Sequence, residues 1–435
     1  MKEKLRIIVE LLKRYRNRSF FGFVQGHSYI NQDQVKLLSE LALAEYDSSI
    51  ISRYEATFAA TIASKPEPSF CVSYAAGRMA FYALLRYLKI GEGDEVILQG
   101  HTCSVMPNAI IRTGATPIFA DIDANTFGSS AVEIEKVITS RTKVIVAQHS
   151  FGIPCDILPI VKLAKRYGIF LLEDCAITVG SKVNGVQVGN FGDAAIFSTD
   201  HSKPLNTIIG GLLFTRNTDI YKHLKNEQSG LPGLSSDRQI ALFATFIFEQ
   251  EYYNPQKYGQ SFFMNKIKKL RNRYLESYLT NDYGEKPSTQ YPYPARMPTF
   301  LAQLGLFEID HWNQEQIKRQ SLLRSFLSQA EAIGLKKYIP KIYYDNKVEI
   351  IPLRFVYAHP EAAKIKRKMS NNIDVDWIWF REPIITCSDP HVFGYTDGSC
   401  HISEETGREI INWPCIFSKS DNIVLLDYFR KAHNQ

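Results

Sequence analysis

The stretch FSTDHSKPLN, from Phe197 to Asn206, sets a lysine among small polar residues directly after the apolar run AAIF. Pro204 disfavours helical backbone in the residue before it, which holds Lys203 in an extended or turn conformation. A lysine on such a loop is either an ordinary solvated charge or an amine positioned to react, and its neighbours decide which. Asp174 follows the run IFLLE, and Ser198 follows AAIF. Farther upstream, Ala76 and Gly77 open an amphipathic helical pattern that includes Arg78 and runs to Gly91. A helix start built of small residues presents backbone amides to an anion, and Arg78 adds a permanent charge suited to phosphate. Taken singly, each residue also has a plain structural role, as a cap, a turn hydroxyl, a tight turn or a solvated charge.

The elements around them bring them together. From residue 70 onward the runs EVILQ, TPIFADI, KVIVAQH, IFLLEDC, AAIFST and GGLLFT alternate with helical patterns, so the chain is expected to be α/β with a largely parallel sheet wrapped by helices. The segment DILPIVKLAKRYG has apolar positions at helical spacing and ends in glycine, as a crossover helix does. In open sheets of this kind ligands bind at the carboxyl ends of strands, where Asp174, Ser198 and Lys203 all fall. An amine, a carboxylate, a hydroxyl and an anion-binding helix start make up the set that pyridoxal phosphate (PLP) requires. The amine forms a Schiff base, the carboxylate keeps the pyridine nitrogen protonated, and the remaining groups hold the phosphate.

Composition bounds the other possibilities. The chain has 435 residues, 45% hydrophobic and 22% charged, which is ordinary globular composition. Seven cysteines without a CxxC pair, in a chain that shows no signal peptide, suggest reduced thiols and a cytoplasmic location. No metal is expected. The longest apolar run, near Ile240 to Phe248, is about half of what a membrane span needs. Of the net charge of +6, residues 1–18 carry seven basic and two acidic residues, or +5. Leu5, Ile8, Leu12 and Tyr15 recur there at helical spacing, so this segment reads as a helix packed on the body or, alternatively, as a basic helix in peripheral contact with anionic lipid. No nucleic-acid-binding signature accompanies it. The expected division is an N-terminal basic helical arm at 1–40, a large domain at 41–310 with a helical insertion at about 218–290, and a small C-terminal domain at 311–435.

The segments GEGDEVI, NAIIRTGATPIFADID, TSRTKVIVAQHSFGIPCDI, AKRYGIFLLEDCA, VGNFGDAAIFSTDHSKPLNTIIGG and ARMPTFLAQLGLFEID resemble, in that order, the DegT/StrS family of PLP-dependent sugar aminotransferases. The resemblance implies the aspartate-aminotransferase fold (PLP fold type I) and a homodimer with active sites at the subunit interface. It implies an amino-acid donor, glutamate, and a keto-sugar acceptor attached to a nucleotide. It also maps the family lysine, aspartate and serine onto Lys203, Asp174 and Ser198, and the family Gly-Gly onto Gly210 and Gly211. The chain departs from the family in places. Ala76-Gly77-Arg78 stands where Ser-Gly-Thr is usual, Cys103 where an aromatic residue stacks on the cofactor, Ile177 where a glutamine is usual, and Pro294 where the neighbouring subunit offers an asparagine. Two alternatives follow from these residues. One is a PLP-dependent sugar dehydratase of the same fold, which in related proteins has histidine in the lysine slot. The other is a non-catalytic binding or regulatory relative.

Overall fold

The short aliphatic runs form a seven-stranded sheet. Its strands are β1 (Phe70–Tyr74), β2 (Glu95–Gln99), β3 (Thr116–Ala120), β4 (Thr142–Gln148), β5 (Phe170–Asp174), β6 (Ala194–Ser198) and β7 (Gly211–Thr215). The computed structural model describes residues 20–21, 26–41, 46–271, 291–375, 379–416 and 419–433. The basic segment 1–18 and residues 272–290 of the expected insertion lie outside them.

The sheet order is β1-β7-β6-β5-β4-β2-β3. Every position of β2 is buried, as in a strand covered on both faces. The pairs among β2, β3, β4, β5 and β6 are parallel, whereas β7 runs antiparallel to both of its neighbours. The cause is local: residues 199–210 between β6 and β7 contain no helix, and a parallel return needs a crossover that those twelve residues do not supply. The reversal places Gly211 opposite both Tyr74 and Ser198, so the ends of β1 and β6 meet the start of β7 at one edge of the sheet. Asp174, at the end of β5, is in register with Ile196 on β6.

Five helices position this edge. They are α1 (Gly77–Tyr87), α2 (Ile157–Tyr167), α3 (Thr218–Gly230), α4 (Ser236–Tyr252) and α5 (Thr299–Ala332). Helix α1 ends short of the Gly91 expected from its pattern. Lys89 takes the left-handed conformation (φ 56°), its N–H bonds to the Arg86 carbonyl at 3.0 Å, and the Ile90 N–H reaches back to Leu85 at 3.0 Å. This paired closure normally recruits glycine; here buried Ile90 anchors it. Helix α2 closes on Gly168 (φ 65°), as its pattern predicts.

Helices α3 and α4 follow β7 without an intervening strand, in keeping with the break in alternation read from the sequence. Helix α4 buries Arg238, Leu242, Thr245, Phe246 and Glu249 along one face, with Leu242 and Phe246 in the main core. The 34-residue α5 joins two cores. Phe300, Leu301, Leu304 and Trp312 pack in the first, and Leu322, Leu323, Phe326 and Ala330 pack in the second. The second core closes around an antiparallel pair, β8 (Arg354–Ala358) and β9 (Ile410–Pro414), where Phe326, Phe355, Trp413 and Phe429 form an aromatic cluster. Among the described residues no helix is long and apolar enough to cross a membrane.

Candidate active site

A cavity of about 270 Å³ opens at the sheet edge where β1, β5, β6 and β7 converge. Lys203, Asp174, Ser198, Ala76, Gly77, Arg78 and Cys103 all line it, so the structure brings these seven candidate residues to one place. Ile177 lines it as well, whereas Pro294 is not among the lining residues.

Close backbone approach explains the glycines. A Cβ on Gly77 would come within 3.2 Å of the Phe197 carbonyl and 3.3 Å of the Ser198 Cβ, and one on Gly211 would fall on the backbone of Gly77. Gly210 adopts φ 154°, where its absent side chain leaves room for the Thr199 and Thr207 hydroxyls. Ala76 caps α1 with its backbone alone and no side-chain oxygen. The helix start, with its amides and positive dipole end, therefore opens onto the cavity beside Ser198. Arg78, the second residue of α1, is half-buried at the wall.

Asp174 forms part of the cavity lining with only 4% of its surface exposed. Its Oδ1 accepts the Ala176 N–H at 2.9 Å. Burial raises its pKa above the usual carboxylate range, against the opposing pull of that N–H and of the Lys203 and His149 charges. A carboxylate so placed gains from a cationic N–H partner.

Lys203 stands on a pinned turn. Its N–H bonds to the Asp200 carbonyl at 2.8 Å, and the Ser202 N–H bonds to Asp200 Oδ1 at 3.0 Å. The Lys203 Nζ lies 5.4 Å from the centroid of the Trp379 ring, within cation–π range. Asp200 is held below its ordinary range: burial works against this, but the His201 and Lys203 charges and the Ser202 hydrogen bonds outweigh it.

Sequence reasoning missed the wall opposite the sheet. Trp379, Phe380, Ile385 and Thr386 line the cavity from the second core. Ile384–Ile385 pairs in parallel with Thr102–Cys103, and Cys103 Sγ lies 3.2 Å from the Thr386 hydroxyl. Thr386 itself adopts φ 70°, a strained backbone for a β-branched residue. About 280 residues separate the two segments, so no local spacing links them. The aromatic run WIWF was the one signal available, since the chain has only four tryptophans.

A second cluster lies nearby, where His149, Glu173 and Cys175 bring potential metal-ligand atoms within 4.8 Å of one another. Its groups are already engaged. Glu173 accepts the amides of Gly189, Phe191 and Gly192 at 2.7–2.8 Å, while His149 bonds to Glu173 at 3.1 Å and accepts the Cys155 N–H at 3.1 Å. It ties β4 and β5 to the loop before β6.

Residues 32–245 match the model of the DegT/DnrJ/EryC1/StrS aminotransferase family. The GDP-perosamine synthase of Escherichia coli O157:H7 is 39% identical over 199 residues, covering 44% of this chain and 53% of that protein. The UDP-N-acetyl-3-dehydro-alpha-D-glucosamine 3-aminotransferase of Acidithiobacillus ferrooxidans is 39% identical over 155 residues, covering 35% of this chain and 42% of that protein. The matched region thus spans about half the length of these relatives. The crystal structure of NtdA from Bacillus subtilis with bound PMP superposes with a TM-score of 0.71 at 19% identity, covering 97% of this chain and 87% of that one, which makes the fold PLP fold type I. Over residues 32–245, this chain is similar to the DegT/DnrJ/EryC1/StrS aminotransferase family.

Proposed function

We propose that the protein is a PLP-dependent aminotransferase that moves an amino group from an amino acid, glutamate, to a keto-sugar carried on a nucleotide. The observation that carries this reading is the meeting of Lys203 and Asp174 in one cavity with an uncapped helix start and Arg78. Two relatives named for GDP- and UDP-linked sugars support the acceptor class. The residues fit the cofactor. The start of α1, with no side-chain cap, offers its amides to a phosphate, and buried Asp174 favours a cationic partner.

PLP supplies an aldehyde and a pyridinium ring that accepts electrons from the bond being broken. In the proposed mechanism the chain does the rest. Lys203 Nζ would hold the cofactor through its aldehyde and, once freed by the donor amine, would serve as the base and acid that moves the proton. Such transfer is typically worth ~10²–10⁴ in rate. Asp174 would keep the ring nitrogen protonated, while Ser198, Gly77 and Arg78 would hold the phosphate. The buried rings of Trp379 and Phe380 give the cavity an apolar wall. Lys203 in the lysine slot favours amination over dehydration. We further propose a homodimer, as the family resemblance implies, in which Pro294 faces the neighbouring site.

The test is a screen of nucleotide-linked keto-sugars with L-glutamate and the PLP-loaded protein. The expected products are an amino-sugar nucleotide and 2-oxoglutarate in equal amounts. Failure of every amino donor to bleach the bound cofactor's visible band would exclude an aminotransferase.

Arg78 is expected to take over phosphate contacts in a site where Ala76 has no hydroxyl. A charge-assisted hydrogen bond is worth ~1.5–3 kcal/mol, so Arg78→Ala is expected to weaken PLP affinity roughly ten- to a hundredfold. Titration of the apoprotein reads this directly, and an unchanged dissociation constant assigns Arg78 to solvent or substrate instead.

A further inference from the structure

Helix α4 aims a carboxylate at the back of the lysine turn. Glu249 lies on the buried face of α4, four residues after Thr245 and three after Phe246, with 2% exposure. A buried carboxylate is costly unless it is paired. Its Oε1 lies 2.8 Å from His201 Nδ1, and on the other side of the ring His201 Nε2 is 3.7 Å from Asp200 Oδ1. The imidazole therefore lies between two carboxylates, hydrogen-bonded to Glu249 through Nδ1 and within ion-pair distance of Asp200 through Nε2.

His201 lines the cavity two residues before Lys203, whereas Glu249 does not. The same turn is braced from a second side. Gly26 packs so closely on Ser202 and Lys203 that a Cβ would overlap the Ser202 carbonyl, and buried Arg319 on α5 donates to the Gly26 carbonyl at 2.5 Å. The His201 N–H also bonds to the Ile208 carbonyl at 3.1 Å, closing the loop on itself.

We infer that Glu249 is a positioning residue for the proposed reaction: acting through His201, it fixes the turn that presents the Lys203 amine to the cavity. The helical segment after β7 is in this view part of the active-site scaffold rather than an appendage. The inference rests on the aminotransferase reading, with Lys203 as the reacting amine. The groups facing the imidazole are Glu249 from α4, Asp200 and Lys203 from its own turn and His27 from the N-terminal segment, while Tyr253 interacts with Glu249 and Arg319 with His27. Burial of His201 disfavours its charged form, but Glu249 and Asp200 outweigh this and raise its affinity for a proton. His27, pushed down to about 4 by burial, stays neutral beside it.

The experiment compares Glu249→Gln, His201→Gln and the double variant in the full-length protein loaded with PLP. Three quantities are read: the pH titration of the His201 ring by NMR, the dissociation constant for PLP, and the rate at which L-glutamate bleaches the visible band. In Glu249→Gln the His201 titration is expected to move to lower pH, because its main anionic partner is gone. Bleaching is expected to slow tenfold or more, with the PLP dissociation constant changed less than threefold. His201→Gln is expected to slow bleaching similarly, and the double variant no further, since both substitutions cut one linkage. A bleaching rate within twofold of wild type in both single variants, additive losses in the double variant, or an unshifted His201 titration in Glu249→Gln would each overturn the inference. If Glu249→Gln does not fold, His201→Gln decides alone by its bleaching rate. Failure of the aminotransferase reading looks different, because the unaltered protein then shows no bleaching by any donor.

Discussion

Lys203→Ala is expected to abolish transamination while leaving the fold in place. The reasoning starts from the turn. Lys203 is half-buried, and its packing contact is the Trp379 ring at 5.4 Å, a cation–π pair worth about 0.5–2 kcal/mol. The turn itself is held by backbone bonds, by Asp200 and by Gly26, none of which needs the lysine side chain. A loss of stability at the small end of the range for point substitutions follows. The chemical loss is far larger. Alanine has no amine to anchor the aldehyde or to move the proton, and the proton transfer alone accounts for roughly 10²–10⁴ in rate. The measurements are borohydride reduction of the PLP-loaded protein, followed by mapping of the labelled peptide, and the rate of bleaching by L-glutamate. The wild type is expected to carry the label on Lys203, and the variant is expected to carry none and to turn over at least a thousandfold more slowly. Full turnover by the variant without an added amine would remove Lys203 from the mechanism.

How much of this was legible in the sequence differs from residue to residue. Lys203, Asp174 and Ser198 could be read because strand ends in an α/β sheet are also where ligands bind, so a local pattern and a global rule point to the same residues. The glycines at 77, 210 and 211 were legible as a helix start and a doublet, but the reason for Gly211, the backbone of Gly77 lying where its Cβ would be, appears only once β7 reverses beside β1. That reversal was itself hidden, because GGLLFT has the same composition as its parallel neighbours and direction is set by the missing crossover helix. The far wall was not legible. Trp379 and Thr386 reach Lys203 and Cys103 through the second core, and hydrophobic periodicity carries no information about contacts at such separation. The His201–Glu249 pair was hidden for a further reason, in that Glu249 sits in the polar stretch EQEYY and reads as a solvated helix end until α4 is packed. Helix α5 shows the converse: FLAQLGLFEIDHWNQEQIKRQSLLRSFLSQAEA carries apolar residues at helical spacing along its length, but that pattern does not show that it feeds two cores.

Asp174→Asn separates function from stability at a single atom. Burial raises the proton affinity of Asp174 above that of an exposed aspartate, and the Ala176 N–H and the Lys203 and His149 charges only partly offset this. In the apoprotein its charged form is thus disfavoured. The folded-state value lies above the unfolded one, so the protonated group contributes stability below the unfolded value, and that stability is lost as pH rises through the folded one. At neutral pH the asparagine variant escapes this cost, and its apoprotein is expected to melt above the wild-type apoprotein. The difference shrinks as pH falls toward the unfolded value. With PLP bound the sign is expected to reverse, because the role proposed for Asp174 is to stabilise the proton on the ring nitrogen, and loss of one partner of a buried charged pair costs about 3–5 kcal/mol. Bleaching by L-glutamate is accordingly expected to slow roughly a hundred- to several-thousandfold, since each 1.4 kcal/mol is a factor of about ten. PLP is still expected to bind through its phosphate contacts. Thermal melts of both apoproteins across pH, set beside the bleaching rates, check the two halves independently. A normal rate in Asp174→Asn would make Asp174 a structural residue, and a lower-melting apoprotein at neutral pH would show that the carboxylate is stabilised by its surroundings rather than by the ligand.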